Sequence, residues 1–318
     1  MKKGGKEAAE ILYVNIKKND QGLEEIEVTG KFLLNWIGRR VILQQITAID
    51  TAQNVLYRHV RENVTAPSNA TRAIPNFSIY QRAAIRDETI DYQSDEFANV
   101  LVSAEVLAKS AKLGMRTITD VRAKTHMFDV YSGNDLTSDQ AINPPCVFSQ
   151  EFDNIVEQEY TDSVENLKTT AYVGGQTNNG DAARQIAEVG AARSGLGRSE
   201  VFINATDLTK TYTENGVQLT ISDAQYLLML MQRGESSLEQ YCESLSFSSK
   251  INTHANLKYG TDYDLGDRVT CINKRWCIKI NVRITAITET YQQNQEEIEI
   301  TFGESIPALL DKIRQFTK

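Results

Sequence analysis

Cysteine and histidine are scarce in this sequence. The four cysteines and three histidines are Cys146, Cys242, Cys271, Cys277, His59, His126 and His254. They form neither a CxxC pair nor an HxxxH spacing, so no zinc site is predicted. Cys271 and Cys277 flank a predicted hairpin tip and could face each other. We expect both to remain thiols, because low cysteine content favours a reducing origin and a buried cysteine usually acts as a small apolar residue.

Long apolar runs and an excess of positive charge are also missing. No stretch of about 18 apolar residues is present, and no secretory h-region follows Met1, so neither membrane insertion nor export is predicted. Lys and Arg number 34 against 42 Asp and Glu, which gives a formal net charge of −8. This balance argues against a protein that binds nucleic acid by sequence, since such binding needs a basic surface.

The common catalytic motifs are absent. We find no GxSxG, HExxH, Walker or dinucleotide fingerprint. The segment Gly174 to Asp181 is rich in Gly, Gln, Thr and Asn but lacks the Gly-Lys-Ser/Thr ending, so it is predicted to be a solvated hairpin loop. His59 lies beside an apolar helical stripe with no nucleophile or orienting carboxylate placed near it, and is interpreted as a boundary histidine.

Two acidic segments leave alternatives open. The first has five carboxylates: Glu151, Asp153, Glu157, Glu159 and Asp162. Two of them could act as the acid and base of a polysaccharide or peptidoglycan hydrolase, although a solvated sheet edge is the favoured interpretation. The second, Asp262 to Asp267, lacks the twelve-residue EF-hand spacing and is interpreted as a structural turn rather than a calcium loop.

The most frequent residue types favour β-strands. Thr, Val, Ile and Tyr are frequent, only five prolines occur, and 41% hydrophobic residues over 318 positions can fill real cores. Residues 11–16 and 23–30 predict a hairpin with an irregularity near Glu24 and Glu25. Apolar spacing predicts one helix from Asp50 and a second from Ser94 or Asp95, which includes Phe97 and stops at Gly114.

The second half of the sequence is predicted to be mainly β. A strand pair with a turn at Thr119 and Asp120 precedes a boundary at residues 143–145, where two prolines follow Asn143. Short helices are predicted at 222–231 and 237–242, and then an antiparallel meander or small barrel. Leu265, Val269 and Phe302 are expected on its inner face. Ser305 is predicted to cap a last amphipathic helix with Ile306, Leu309, Leu310 and Ile313 on one side.

Four segments in this order resemble one known family. They are VFSQEFDNIVEQEYTDSVENLKTTAYVGG (147–175), GLGRSEVFINATDL (195–208), YGTDYDLGDRVTCIN (259–273) and TFGESIPALLDKI (301–313). Together they resemble the tail-hub, or tail-associated, proteins of siphophages and related prophages. The resemblance runs from about Ile11 to the C-terminus and is carried by the four segments in register rather than by any single motif.

The resemblance implies a fold that is α+β and mainly β, with β-barrel-like hub domains, an inserted small α/β domain and a C-terminal capping helix. It implies residues 1–48 as an N-terminal β segment, 49–144 as the insert and 145–318 as the β-rich hub region. Family chains begin with further strands, so the first barrel is expected to be incomplete and the isolated chain monomeric or weakly associated.

The resemblance further implies a virion structural protein at the tail tip, made in the bacterial host cytoplasm. Its implied partners are copies of itself in a ring, which is expected to be a trimer, and the distal-tail and tape-measure proteins. It implies no catalytic, cofactor-binding or metal-binding residues. A hydrolase that uses residues 151–162 and a glycan-binding tail-tip module remain the alternatives.

Overall fold

A computed structural model describes residues 7–85, 88–95, 97–177, 184–214, 217–292 and 295–303. Its helices are α1 (Ala52–Val60), α2 (Val100–Ser110) and α3 (Asp223–Leu238). Its strands are β1 (Ala9–Lys18), β2 (Glu24–Phe32), β3 (Thr47–Thr51), β4 (Phe77–Ile79), β5 (Thr89–Gln93), β6 (Gly114–Asp120), β7 (Thr125–Tyr131), β8 (Val147–Ser149), β9 (Ile155–Ser163), β10 (Thr170–Gly174), β11 (Ile186–Gly190), β12 (Glu200–Asn204), β13 (Thr211–Glu214), β14 (Val217–Thr220), β15 (Ser244–Ile251), β16 (Arg268–Asn273), β17 (Ile278–Gln292) and β18 (Gln295–Gly303).

The chain divides into two compact units. The first comprises residues 1–131, 172–189 and 202–237, and the second comprises 132–171, 190–201 and 238–318. The sequence-based boundaries after residues 48 and 144 stay a prediction. The strands greatly outnumber the helices, which confirms the predicted α+β, mainly β fold class.

The helical part of the first unit packs α1 and α2 together. Thr51 caps α1 by accepting from the Asn54 amide at 3.3 Å, and Asn99 caps α2 by accepting from the Leu101 amide at 3.0 Å. The apolar faces of both helices lie in one core with Phe128 and Val130 of β7. Two small sheets accompany them, β3 with β5 and the three strands β4, β7 and β6 in that order.

Asp129 of β7 lies at the centre of the β4-β7-β6 sheet with a fully buried carboxylate. Arg82 and Arg116 each donate to it at 2.9 Å, one from the loop after β4 and one from the neighbouring strand β6. Both of these contacts are to Oδ2, and Arg82 Nε donates to Oδ1 at 3.0 Å, so the buried charge is paired on both oxygens. Such pairing is the condition for keeping a carboxylate inside a core.

Strands from the middle of the chain and α3 complete the first unit. A three-stranded sheet has the order β11-β10-β12, and β13 pairs with β14 as a separate hairpin. Gly234 of α3 lies close against this sheet. A Cβ at this position would be only 2.5 Å from the Val189 side chain and 2.6 Å from that of Val173. Arg233 of α3 forms ion pairs with Asp95 at 2.7 Å and Asp207 at 3.1 Å.

The second unit is built on an open, half-barrel sheet of six strands in the order β8-β16-β17-β18-β15-β9. Its pairs are antiparallel except β8 with β16, which is parallel. Its core contains Val269 and Phe302, both fully buried, and Leu265 packs against this core while half-buried. The predicted meander and the inward direction of these three side chains are confirmed.

Several local predictions were wrong in detail. Helix α2 begins at Val100 rather than at residue 94 or 95, and Phe97 lies outside it with its side chain exposed. Gly114 begins β6, and the left-handed residue after the helix is Lys112 with φ 55°. The following turn lies at residues 121–124, after Asp120, because the Asp120 side chain accepts from the Arg122 and Ala123 amides.

The two short helices predicted at 222–231 and 237–242 are instead one α-helix, α3, followed by a 3-10 turn at Glu239–Tyr241. The predicted C-terminal capping helix from Ser305 lies outside the described residues.

Candidate assembly surface

The hairpin of β1 and β2 separates its side chains into two unlike faces. The register changes between Ile11, which is opposite Gly30, and Tyr13, which is opposite Thr29, so Leu12 is a bulge. Because side chains alternate along β2, this bulge moves Ile11 to the same face as Val14. The predicted irregularity is therefore real, but it lies at Leu12 rather than near Glu24 and Glu25.

One face of the hairpin is apolar and exposed. We call it the apolar face, and it consists of Ile11, Val14, Ile16, Ile26, Val28 and Phe32. Each of these side chains is between 52% and 65% exposed. Soluble monomers rarely leave a contiguous apolar surface of this kind uncovered, so the face is a candidate contact surface.

The opposite face, which we call the polar face, is charged and pairs its own residues. Tyr13, Asn15 and Lys17 of β1 lie there opposite Thr29, Glu27 and Glu25. Lys17 is 3.9 Å from Glu27, and both side chains are largely exposed. This face suits water, whereas the apolar face does not.

The base of the hairpin is held to the chain that follows it. Glu10 accepts from Trp36 Nε1 at 2.9 Å and also pairs with Arg39, and the Leu33 amide donates to Ala8 O at 3.0 Å. Trp36 and Arg39 belong to the 3-10 helix Leu33–Arg39. The hairpin is thus anchored at one end, while its strands pair only with each other in the described part of the chain.

The outer edge of strand β9 is a second candidate contact surface, because β9 is the last strand of the six-stranded sheet. It pairs with β15 on one side and is the last strand of the sheet order on the other. The alternation along β9 places Gln158 and Tyr160 on the face of the buried Phe247, and Glu157 and Glu159 on the opposite face. Within the part of the chain that the structure describes, this edge is open and available for main-chain hydrogen bonds to another strand.

The structure does not gather the five carboxylates at residues 151–162 into one site. Glu151 is in a 3-10 turn, 2.6 Å from Lys274, and Glu157 is 3.5 Å from Lys250. Asp162 lies on the other face of β9 from Glu159 and accepts from Tyr160 at 3.4 Å. Glu151 and Glu157 each pair with a lysine, and Asp162 faces away from Glu159, which is the arrangement of a solvated sheet edge.

The acidic turn at residues 262–267 uses its carboxylates to hold backbone. Asp267, which is buried, accepts from the Asn134 amide and from the Asp264 amide, both at 2.7 Å. Asp262 accepts from the Lys258 amide at 2.8 Å. The structural interpretation of this turn agrees with these contacts. In the described ranges, no group of three or more His, Cys, Asp or Glu side chains is placed to hold a metal ion.

His59 is a core residue. Its ring is fully buried, Nε2 is 3.0 Å from the Tyr92 hydroxyl, and that hydroxyl is 3.2 Å from Ser103 Oγ. Nδ1 has no hydrogen-bond partner among the described residues. Burial lowers the pKa of His59 to about 4, and the nearby charge of Asp95 opposes this shift only in part. The histidine is therefore neutral near pH 7, and it is more deeply buried than the boundary position we predicted.

The four cysteines are free thiols. Cys271 is fully buried in the sheet and Cys277 is exposed in the turn that follows. Burial raises the pKa of both Cys271 and Cys146, to about 11 for Cys146. The strand register places Cys271 opposite Ile280 and not opposite Cys277, so the two thiols do not face each other across the hairpin.

The glycine-rich segment begins in β10 and leads to the neighbouring strand β11. Arg184 donates to the carbonyls of Gly174 and Gly175, each at 2.6 Å. Residues 178–183 lie outside the described residues, so the hairpin-loop prediction is testable only at its two ends. None of the helices described here is long and apolar enough to cross a membrane.

The fold is similar to that of tail proteins of known structure. The tail protein from Neisseria meningitidis MC58 is similar with a TM-score of 0.54 at 12% identity, over 93% of this chain and 79% of that one. The 43 kDa tail protein of prophage MuSo2 from Shewanella oneidensis has a TM-score of 0.52 at 9% identity, over 92% of this chain and 78% of that one. No curated protein matches the sequence.

The sequence also matches a family model. The model described as Siphovirus ReqiPepy6 Gp37-like protein matches residues 1–304, which is nearly the whole chain. The match confirms the resemblance to siphophage proteins that the four sequence segments indicated. This chain belongs to the siphovirus Gp37-like family and has the fold of prophage tail proteins.

Proposed function

We propose that this protein is a structural component of the distal tail of a phage or prophage, where copies of it form a closed ring, as a trimer, with the distal-tail and tape-measure proteins as neighbours. It acts by assembly and not by catalysis. Family membership and the shared fold support a tail protein, and the carboxylates of residues 151–162 offer no convergent acid and base.

The observation that carries the proposal is the apolar face of the β1-β2 hairpin. A two-stranded hairpin is at best marginally stable in water, and six large apolar side chains on one face gain free energy only when they are covered. In a closed ring every copy contacts the next one, so a face of this kind can be covered on every subunit.

Light scattering over a concentration series tests the proposal in solution. We expect weak, concentration-dependent association of the wild-type chain, and its loss in the variant Val14→Lys, which places a charge on the apolar face. The matched control is Thr29→Lys on the polar face of the same hairpin, which should associate as the wild type does. Equal association of Val14→Lys and wild type would contradict a role for this face.

Tail assembly tests the biological role. In lysogens that carry Val14→Lys, electron microscopy should show fewer complete tails than with Thr29→Lys, and antibody against the protein should label the distal end of wild-type tails. Label on the capsid or along the whole tube would contradict the location. Clearing of cell walls in zymograms that is lost in Glu157→Gln or Glu159→Gln would replace the proposal with a hydrolase.

A further inference from the structure

We propose that strand β1 of one copy adds to the free edge of β9 in a second copy, so that the hairpin extends the six-stranded sheet of its neighbour. This inference rests on the proposed ring, and it names the surface to which the hairpin binds. It concerns contacts between copies and uses two elements whose edges are free in the described residues, β1 and β9.

The faces of the two elements match when the strands are joined. The face of β9 that carries Tyr160 continues into the buried face of the sheet, where Phe247 and Ile251 lie in the core. The opposite face carries Glu157 and Glu159. If the apolar face of the hairpin extends the face of β9 that carries Tyr160, Ile16 lies on the same side of the joined sheet as Tyr160. The polar face, with Lys17, then lies on the side of the two glutamates.

Charge selects β1 over the other available edges. Among the exposed residues of β9, the charged ones are acidic. Near the hairpin turn, β1 carries Lys17 on the polar face and Lys18 on the apolar face, while its one acid, Glu10, lies at the anchored base. Strand β2 would instead bring Glu24, Glu25 and Glu27 near the turn, with Lys31 at the base, and a second β9 would bring its own acids. Like charges directly opposite each other across strands are destabilising, whereas opposite charges attract. The acidic edge therefore disfavours pairing with itself and accepts the basic strand.

A pairing between two hairpins is the competing arrangement. It matches charges as well, because Lys17 is already opposite Glu25 within one chain. However, joining hairpins only doubles the width of an apolar surface that the described residues leave uncovered. Joining β1 to β9 places the apolar face beside an existing core, so it removes more apolar surface from water. We therefore assign β9 as the site that receives the hairpin.

The pairing joins different patches on the two copies and is heterologous. A heterologous contact repeats from copy to copy and closes into a ring if the rotation permits. A contact of this kind provides the head-to-tail interface that the proposed ring needs, and it involves main-chain hydrogen bonds as in other cases of strand addition.

Disulfide trapping between two chains that each carry one accessible cysteine, with Cys146 and Cys271 left in place because both are buried, tests the inference. Both chains carry Cys242→Ser and Cys277→Ser to remove the accessible thiols. One chain then carries Asn15→Cys, and the other carries Glu157→Cys, Glu159→Cys or Thr161→Cys, which scan the register along β9. Mixing the chains under mild oxidation should give a crosslinked heterodimer for at least one β9 position. Leu196→Cys, at a fully exposed loop position, is the control for random collision.

Charge exchange provides the second arm. Lys17→Glu in the Asn15→Cys chain should reduce the crosslink several-fold, and Glu157→Lys with Glu159→Lys in the chain carrying Thr161→Cys should restore it. When the chain with Glu157→Lys and Glu159→Lys is mixed with an Asn15→Cys chain that keeps Lys17, the crosslink should be reduced again. Restoration by the exchange distinguishes a direct pairing from a variant that is merely misfolded.

The outcomes separate this inference from the proposed function. Association in light scattering without a crosslink to any β9 position would overturn the inference, but the proposed ring would still stand. A preferred crosslink of Asn15→Cys with Glu27→Cys would overturn it in favour of hairpin-to-hairpin pairing. Absence of association at every concentration, together with no crosslink, would overturn the inference, whereas absence of the protein from the distal end of wild-type tails would overturn the proposed function.

Discussion

Trp36 Nε1 donates a hydrogen bond to Glu10 Oε2 at 2.9 Å, and this contact holds the base of the β1-β2 hairpin to the 3-10 helix Leu33–Arg39. The hairpin otherwise presents both faces to solvent, so its position in an assembly depends on this anchor.

Replacing Trp36 with Phe should loosen the hairpin without unfolding the protein. One hydrogen bond contributes about 0.5 to 1.5 kcal/mol, so amides of residues 9–32 should exchange with solvent roughly 2-fold to 12-fold faster. Hydrogen exchange followed by mass spectrometry measures this change. Trp276→Phe, in a turn of the other unit, is the matched control, and unchanged exchange in the Trp36→Phe hairpin would show that the anchor is unimportant.

Phe302→Ala should destabilise the protein strongly because Phe302 is fully buried in the second core. Truncating a buried Phe costs about 3 to 5 kcal/mol in the free energy of unfolding. Leu265→Ala should cost less than about 2 kcal/mol, since Leu265 is only half-buried. Urea denaturation measures both, with Leu196→Ala as the exposed control. A larger loss for Leu265→Ala than for Phe302→Ala would contradict the assigned packing.

Asp129→Ala should lower the free energy of unfolding by about 3 to 5 kcal/mol, since it leaves the guanidinium of Arg116 partly buried and without its carboxylate. Arg82→Ala should cost less, because Asp129 then keeps Arg116 as a partner and the Arg82 side chain is 36% exposed. The two variants are compared by urea denaturation, with Asp20→Ala in the exposed hairpin turn as control. Equal losses for the two variants would argue against Asp129 as the shared centre.

The free energy of unfolding should decrease as the pH is lowered from about 6.5 to about 4, because of His59. Its pKa is near 6.5 in the unfolded chain and about 4 in the folded protein, where burial disfavours the charged ring. As pH falls through this window, the unfolded state binds the proton first, so up to about 3 kcal/mol of stability is lost. Below pH 4 the folded state also binds it, and the loss levels off.

The variant His59→Gln isolates this contribution. Its free energy of unfolding should depend less on pH between 6.5 and 4 than that of the wild type, even if its stability at pH 7 is lower. His254→Gln, at an exposed position, should keep the wild-type slope. Parallel curves for His59→Gln and wild type would contradict the lowered pKa.

Thiol labelling should follow the burial of the cysteines. Cys277 should react rapidly with a thiol reagent, whereas Cys146 and Cys271 should react only on unfolding, because burial raises the pKa of each and excludes the reagent. Mass spectrometry of labelled peptides without reductant measures this. A Cys271–Cys277 disulfide in the freshly purified protein would contradict the structure.

Local sequence patterns were sufficient where neighbouring residues determine structure. Turn residues at 17–22 and the two strand-like runs predicted the first hairpin, and the apolar spacing after Asp50 predicted α1. The second helix was overextended, because Phe97 fits the helical spacing while Asn99 is the residue that caps. The bulge at Leu12 was placed wrongly at Glu24 and Glu25, although the spacing of Ile11, Val14 and Ile16 was a usable signal.

The sequence by itself determined the family, the mainly β fold class and the strands of the last third, since alternation and turn chemistry are local properties. Only the tertiary structure decided that β8 pairs in parallel with β16, that β9 joins β15 as an edge, and that the apolar face of the hairpin remains exposed. Strand partners and solvent exposure depend on contacts between residues far apart in the chain. Alternation shows which side chains share a face, but not what covers that face.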